Sequence, residues 1–347
     1  MCSVVKSFPE FIIIDRIMKI AIVYNRPAET GSANWQSSQD VVQQVDAVER
    51  GLNELAIPAV RLPFDRDLEK FLKVIRQEQV DAVFNLCESV DDNPHLGGHP
   101  AAVFELLGLP FTGSGSLALM LSTDKLLAKR QLAAAGLLTP AYISFAGENP
   151  GNLADISLPA IIKPRFEDAS IGIDQESLVF TVQELREKLP EFYARYGPLL
   201  VEQFIAGREF NISLFGYPSA QVLPMAEIDF STFPPALHRI VGYKAKWDEN
   251  AFEFHHTPRF FPQNLPAAEE QNLRRVAAEA YNLFMLRDYG RIDVRMDDLG
   301  KVFVLEANAN PCLSPDAGFV AAAQQCRMNY TAIVKEFVRF LSIRLEQ

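Results

Sequence analysis

The sequence is poor in cysteine, in positive charge and in long apolar runs, and each shortage closes off a class of protein. Its four cysteines, Cys2, Cys87, Cys312 and Cys326, are scattered over 347 residues and form no CxxC pair. Neither a disulfide framework nor a structural zinc site is therefore expected. Lys plus Arg number 33 against 44 Asp plus Glu, a net charge of −11, the reverse of the electrostatic footprint of a nucleic-acid binder. No apolar run reaches the roughly 18–20 residues of a membrane span. The early candidate at 11–14 is cut by Asp15, Arg16 and Lys19 and lacks the shape of a secretory signal, so a cytoplasmic protein without membrane or nucleic-acid partners is expected. No GxxxxGK[ST] occurs, which excludes an ordinary P-loop NTPase, and Gly113-Ser114-Gly115 lacks the third glycine of a dinucleotide fingerprint.

What is present fits an ordinary globular chain of two or three packed units, with 48% hydrophobic and 22% charged residues. A strand-like start at 19–23 puts the beginning of the first unit near Met18, with an extension before it. Apolar runs at 20–23, 59–62 and 80–86 alternate with helical patterns, the first carried by Val41, Val45, Val48, Leu52 and Leu55. Such alternation predicts an α/β unit with a parallel sheet. A helix through 126–135, capped by Ser122 or Thr123 and stopped by Gly136 and Pro140, opens a second unit with strands at 158–163 and 177–181 and a helix at 182–195. A third unit opens on the strand Leu199-Leu200-Val201-Glu202-Gln203-Phe204 and ends in an apolar helix at 333–341. The expected units are 1–121, 122–198 and 199–347.

The densest chemistry lies at 291–308. Two alternating strands flank the turn Asp297-Asp298-Leu299-Gly300, a β-hairpin pattern. Pairing outward from the turn sets 296 against 301 and 292 against 305. Ile292, Val294, Phe303 and Leu305 then share an apolar face, and Arg291, Asp293, Arg295, Glu306 and Asn308 the other. Asp293 and Glu306 become diagonal neighbours, and two carboxylates with an amide oxygen suit Mg²⁺ held together with nucleotide phosphates. A solvated face on which Arg291 pairs with Glu306 is the plainer alternative. Lys163 ends a buried strand before Pro164, and Lys125 sits in a first helical turn where the macrodipole disfavours a cation; a phosphate would compensate both. The loop Glu167-Asp168-Ala169-Ser170-Ile171-Gly172 is short enough to fold over phosphates through backbone N–H groups and Ser170. The segment 201–210 reads as strand, turn at Gly207 and strand, able to present backbone to adenine or to serve as a hinge. The adjacent His255 and His256 face opposite ways and make a poor metal pair. Cys312 has no evident base beside it in sequence.

Taken in order, these blocks resemble the ATP-grasp superfamily, in its D-alanine–D-alanine ligase-like branch. The carriers are 106–114, Asp124-Lys125 with Lys129, Ile162-Lys163-Pro164, Leu200-Val201-Glu202 with Gly207-Arg208-Glu209, Ala245-Lys246-Trp247, Arg291-Ile292-Asp293 and Leu305-Glu306-Ala307-Asn308, from about Lys19 to about Gln325. The resemblance implies an ATP-grasp fold: an N-terminal parallel α/β domain and two α+β subdomains clamping ATP. It implies Lys125, Lys163 and Ser170 at the phosphates, Glu202, Gln203, Phe204 and Ile205 at adenine, and Glu209 at the ribose. Asp293, Glu306 and Asn308 would hold Mg²⁺, while Lys246 and Arg291 would serve the reaction, in which an acyl phosphate forms and an amine attacks it. Family habit implies a homodimer.

The departures from that branch gather at the acceptor pocket. True D-alanyl ligases carry a glycine-rich, serine- and glutamate-bearing segment where this chain reads Val23-Tyr24-Asn25-Arg26-Pro27-Ala28-Glu29. They have serine at the place of Ala169, tyrosine at that of Trp247, and a histidine-glycine segment where Asn85-Leu86-Cys87-Glu88 stands here. D-alanine–D-alanine ligation is therefore not the expected reaction. An amino-acid ligase of mycosporine biosynthesis resembles this divergent character, and Arg26 and Arg295 would suit a larger, carboxylate-bearing substrate. The alternatives are a dipeptide or other carboxylate–amine ligase and a non-catalytic ATP-binding regulatory protein.

Overall fold

The computed structural model describes residues 18–27, 35–147 and 153–346. The extension before Met18, with Cys2, and the positions Ala28 and Glu29 lie outside them. In chain order the first elements are β1 (Ile20–Asn25), α1 (Trp35–Glu54), β2 (Ala59–Phe64), α2 (Leu68–Glu78), β3 (Ala82–Leu86), α3 (His99–Leu107) and α4 (Ser116–Thr123). The three strands form the expected parallel sheet, in the order β2-β1-β3. Next come α5 (Lys125–Ala134), β4 (Tyr142–Phe145), β5 (Ala160–Pro164), β6 (Leu178–Val179), α6 (Val182–Tyr196) and β7 (Leu199–Gln203). The remainder is β8 (Arg208–Gly216), β9 (Gln221–Val222), β10 (Ala226–Ile228), α7 (Tyr243–Trp247), α8 (Phe252–His255), β11 (Arg259–Phe260), α9 (Ala267–Leu283), β12 (Asp288–Met296), β13 (Val302–Asn308), α10 (Gly318–Gln325) and α11 (Tyr330–Leu345).

Strand β7, expected to open the third unit, is instead an inner strand of the middle sheet, β4-β7-β5-β6. Its residues Leu199, Leu200 and Val201 are fully buried, and Ile162 pairs with Val201 and Ile161 with Glu202. The third sheet runs β11-β10-β8-β12-β13, with β9 on β8, and is antiparallel. Helix α11 then returns to the first unit. Phe337, Phe340 and Leu341 pack with Ile20, Ile22, Val45 and Val48 in one core, and a Cβ on Gly51 of α1 would stand 2.7 Å from Val334 Cγ2. Among the described residues no helix is long and apolar enough to cross a membrane.

The start of α5 corrects the expected cap. Ser122 and Thr123 end the preceding helix α4, and Asp124 caps α5, its carboxylate accepting from the N–H groups of Leu126 (3.0 Å) and Leu127 (3.2 Å). Arg165 grips the same carboxylate with Nε (2.7 Å) and Nη2 (2.5 Å). Asp124→Ala removes the cap and this pair together, so a loss of about 1–2 kcal/mol is expected in denaturant unfolding, at the upper end for a cap. Cys87 and Cys312 are free thiols.

Candidate active site

The β12–β13 hairpin forms as expected, but not in the expected register. Met296 pairs with Val302, Arg295 with Phe303 and Val294 with Val304, after which the ladder slips and Asp293 pairs with Glu306 and Arg291 with Asn308. Leu305 is the extra residue of a β-bulge. Because successive side chains on a strand alternate faces, an unbroken β13 would send Glu306 and Asn308 to the same side as Val302 and Val304. The bulge resets the alternation. Val304 and Ala307 both enter the core, and Glu306 and Asn308 join Asp293 on the cleft side. The apolar face is thus Ile292, Val294, Met296, Val302, Val304 and Ala307, with Phe303 and Leu305 outside it.

Arg291 does not pair with Glu306. Its Nε and Nη2 grip Asp293 Oδ1 (2.7 Å) and Oδ2 (2.8 Å), and Asp293 also accepts from Asn211 (2.9 Å) and Asn308 (3.1 Å). Asn211 was missed in the sequence; it lies on β8 two residues after Glu209 and so shares its face. Glu306 lies 3.6 Å from the buried ammonium of Lys125. Burial works against its ionisation, yet Lys125, a hydrogen bond with Asp168 and Lys246 pull it down to about 2. Asp168 moves the other way, to about 6, through burial and the charge of Glu306, with Lys125 opposing. Lys125 also reaches Asp168 Oδ1 (3.2 Å) and the Glu167 carbonyl.

Across the cleft, Lys163 donates to Glu202 Oε2 (3.0 Å), which is also 3.3 Å from Lys129 Nζ. Glu202 therefore turns its side chain to two lysines. Burial raises its carboxyl, but the lysines win and hold it below the usual range. Phe204 and Ile205 follow β7 on the wall of the cleft, with the Phe204 amide bonded to Pro159 O (2.8 Å). Glu209 accepts from Arg295 Nε (3.0 Å) and Nη2 (2.7 Å). Arg295 is buried, donates also to Ile205 O (2.8 Å) and Arg239 O, and stacks 4.6 Å over Phe204. It lines the cleft, but its donors are taken by Glu209 and two backbone carbonyls. Arg26 pairs with Asp65 (2.8 Å) and does not line the cleft. Neither arginine reaches for a substrate carboxylate.

The loop at 167–172 is tied to α7. Ala169 and Ser170 have positive φ (54° and 61°), Ser170 Oγ donates to Val241 O (2.8 Å), and Trp247 Nε1 donates to Ala169 O (2.9 Å). The two departures flagged in sequence, Ala169 and Trp247, thus touch each other. Trp247→Phe removes one neutral hydrogen bond from this loop, so the KM for ATP is expected to rise about fivefold. Lys246 lines the cleft without an ion pair among the described residues. Burial and the Arg291 charge lower its ammonium, against Glu306, Asp293 and Glu209.

At the far end, towards the first unit, Cys312 donates its thiol to Asp40 Oδ2 (2.9 Å) and accepts from the Ser314 amide (3.2 Å). Burial and Asp40 push this thiol well up. Glu88 stands open in the cleft and accepts from Gln44 (3.1 Å). Lys163, Asp168, Glu202, Glu209, Lys246, Asp293 and Glu306 border one cleft of about 660 Å³ formed by parts of all three sheet units, while Lys125 and Lys129 stand behind its lining. His255 and His256 each bond a backbone carbonyl of their own segment, and neither joins a metal site.

The D-ala D-ala ligase C-terminus family model matches residues 133–339. A D-alanine–D-alanine ligase of Carboxydothermus hydrogenoformans is 30% identical over 302 residues, covering 84% of this chain and 90% of the relative. An uncharacterised Sinorhizobium fredii protein is 30% identical over 73% of this chain and 72% of its own. Among solved structures, the Bacillus anthracis D-alanine–D-alanine ligase complexed with ATP superposes with a TM-score of 0.74 at 19% identity, over 95% of this chain and 99% of that one. The Enterococcus faecalis VanG D-Ala:D-Ser ligase gives 0.72 at 20% identity, over 94% and 100%. Fold and matches together define an ATP-grasp enzyme, an ADP-forming ligase of carbon–nitrogen bonds whose cofactors are ATP and Mg²⁺. The chain belongs to the D-alanine–D-alanine ligase family.

The residues fit the metal. Among the described residues no three His, Cys, Asp or Glu side chains surround one point. Mg²⁺ prefers one or two carboxylates completed by water and nucleotide phosphates, which is what the Asp293–Glu306 pair offers. Asn308 now turns its amide nitrogen to Asp293, and a half-turn of that amide presents its oxygen.

Proposed function

We propose that this ligase activates an acceptor other than D-alanine and joins an amino-acid amine to it. One observation carries the reading: Trp247, where D-alanyl ligases have tyrosine, spends its indole N–H on the main-chain carbonyl of Ala169. Residues that in the family orient the first D-alanine are here engaged with each other, beside an intact set of ATP-side groups. The favoured specific class is a mycosporine-type acceptor; the rebuilt pocket supports it, while Arg26 and Arg295, paired elsewhere, do not. A dipeptide or other carboxylate–amine ligase is the competing substrate class.

In this reading Lys125, Lys163 and Ser170 bind phosphates, the 202–205 strand end takes adenine, and Glu209 the ribose. Asp293, Glu306 and Asn308 hold Mg²⁺, which supplies charge neutralisation on the phosphoryl oxygens. Arg291, fixed by Asp293, offers a cation to the developing oxyanion, and Lys246 a second charge above the phosphates. The wall of 167–172 and α7 keeps water from a reactive acyl or enol phosphate. The chain works as three units, 1–121, 122–203 and 204–347, in the cytoplasm, the second boundary moved from 198 so that β7 stays with its sheet. A homodimer is also proposed, for which α3 and α4 offer exposed Leu106, Leu107 and Leu117; sedimentation of a monomer at micromolar concentration would refute it.

The test is ADP release with Mg-ATP against a grid of acceptors and amines, including D-alanine alone and mycosporine-glycine with glycine, serine or threonine. Release that requires two particular substrates names the reaction. Robust release with D-alanine alone overturns the proposal, and silence with mycosporine-glycine removes that acceptor.

A further inference from the structure

Lys129 has no role in the site as described so far, yet it is the most enclosed cation beside it. It sits on α5 one helical turn after Lys125 and is 1% exposed. Its ammonium touches both halves of the clamp. On the middle sheet it faces Glu202 Oε2 at 3.3 Å; on the third it donates to the carbonyls of Val304 (3.4 Å) and Leu305 (3.1 Å), the residues of the bulge. Thr139 Oγ1, at 2.8 Å, completes the set and itself donates to Val304 O. Burial lowers the ammonium to about 8, with Lys163 acting the same way and Glu202 against.

The charge balance gives this arrangement a consequence. Glu202 carries −1 between Lys129 and Lys163, each +1, so the trio keeps a net +1. Lys163 and Glu202 both line the cleft, and Lys129 stands behind them. Without Lys129 the Glu202–Lys163 pair would be neutral, and its attraction for an anion would fall. The carbonyl tether acts on the other side. It fixes the extra residue of the bulge, and the bulge decides where Glu306 points.

We propose that Lys129 is a positioning residue: it neutralises Glu202 from behind so that the Glu202–Lys163 pair keeps a net positive field toward the nucleotide phosphates, and it pins the bulge that aims Glu306. This rests on the reading that ATP phosphates lie beside Lys163. Nucleotide binding needs no acceptor, so a silent substrate grid leaves the test intact.

The experiment is calorimetric titration of the full-length protein with Mg-ATP and, separately, adenosine. Lys129→Met is expected to weaken Mg-ATP by about 10–100-fold, the range of one charge-assisted hydrogen bond, and adenosine by less than about threefold. Equal weakening of both, or of neither, overturns the proposal. Because Lys129→Met leaves a buried carboxylate short of a partner, Lys129→Met/Glu202→Gln removes both charges and keeps the fold accessible by circular dichroism. That double variant is expected to regain ATP affinity over the single one, since Lys163 is again uncompensated. It should still need several-fold more Mg²⁺ for half-maximal ATP binding, the tether to Leu305 being gone. No regain overturns the charge role, and a wild-type Mg²⁺ requirement overturns the tether.

Discussion

Replacing Glu306 by Gln is expected to reduce turnover by about 10²–10³-fold, the range for removing one preorganised electrostatic group, while the protein remains folded. The substitution changes charge and almost no volume, and the bulge that positions residue 306 is a backbone feature that survives it. What disappears is one of the two carboxylates offered to Mg²⁺, the hard oxygen that the ion prefers to an amide. Lys125 keeps Asp168 and the Glu167 carbonyl as partners, so no buried cation is stranded. A companion effect is readable without substrate. Asp168 loses the acid neighbour that, with burial, raises it to about 6, and its titration midpoint falls towards the ordinary carboxylate range. Full ADP release by Glu306→Gln would refute the metal assignment, and an unmoved Asp168 midpoint would refute the coupling.

Arg295→Met is expected to be the most destabilising single change among those considered, by about 3–5 kcal/mol, the usual consequence of removing one partner of a buried ion pair. Arg295 is 3% exposed. It holds Glu209 through two nitrogens and the Ile205 carbonyl through a third, and it also donates to the Arg239 carbonyl. Methionine can fill the space but leaves Glu209 without its cation and two carbonyls without a donor. Those carbonyls belong to the connection after β7 and to the segment leading into α7, so nucleotide affinity should fall with stability. Denaturant unfolding and ATP titration measure the two effects. A change below about 1 kcal/mol, as at a surface pair, would show that Arg295 is not the brace its contacts describe.

The contrast between Asp293 and Arg295 shows where sequence reading reaches and where it stops. Both alternate onto the polar face of β12 and look equivalent in sequence. Which of them serves the cleft depends on Glu209, 86 residues away, and no local pattern carries that pairing. The same non-locality explains β7. Its apolar run was plain, but the sheet it joins is set by β4 and β5, not by the turn at Gly207 that follows it. The hairpin was legible because strict alternation on both sides of an Asp/Gly turn leaves few other readings. Its register was not, since a bulge of this kind adds one ordinary residue, Leu305, with no glycine to announce it. Helix α4 is not legible in the sequence because its short apolar stretch has no polar stripe, and its last residues resemble the cap that Asp124 provides. Ala169 and Trp247 stood out as departures; that they meet is a fact of three dimensions only.

The bulge also makes chain length in β13 a matter of parity. Val304 and Ala307 are three residues apart yet both face the core, an odd interval in a structure whose repeat is two. Loss of Leu305 would leave Val304 and Ala307 two residues apart, the interval of an unbroken strand, so Glu306, Ala307 and Asn308 would keep their faces and only the bulge would go. Two residues gained or lost would leave the interval odd, and the strand would again need a bulge to hold Glu306 on the cleft side. The turn at 297–300 is under no such restriction: Leu299 at its tip is 80% exposed, and extra residues there lie beyond the last paired position, Met296 with Val302. Within a dozen residues the chain is therefore rigidly metered at one end and free to drift at the other.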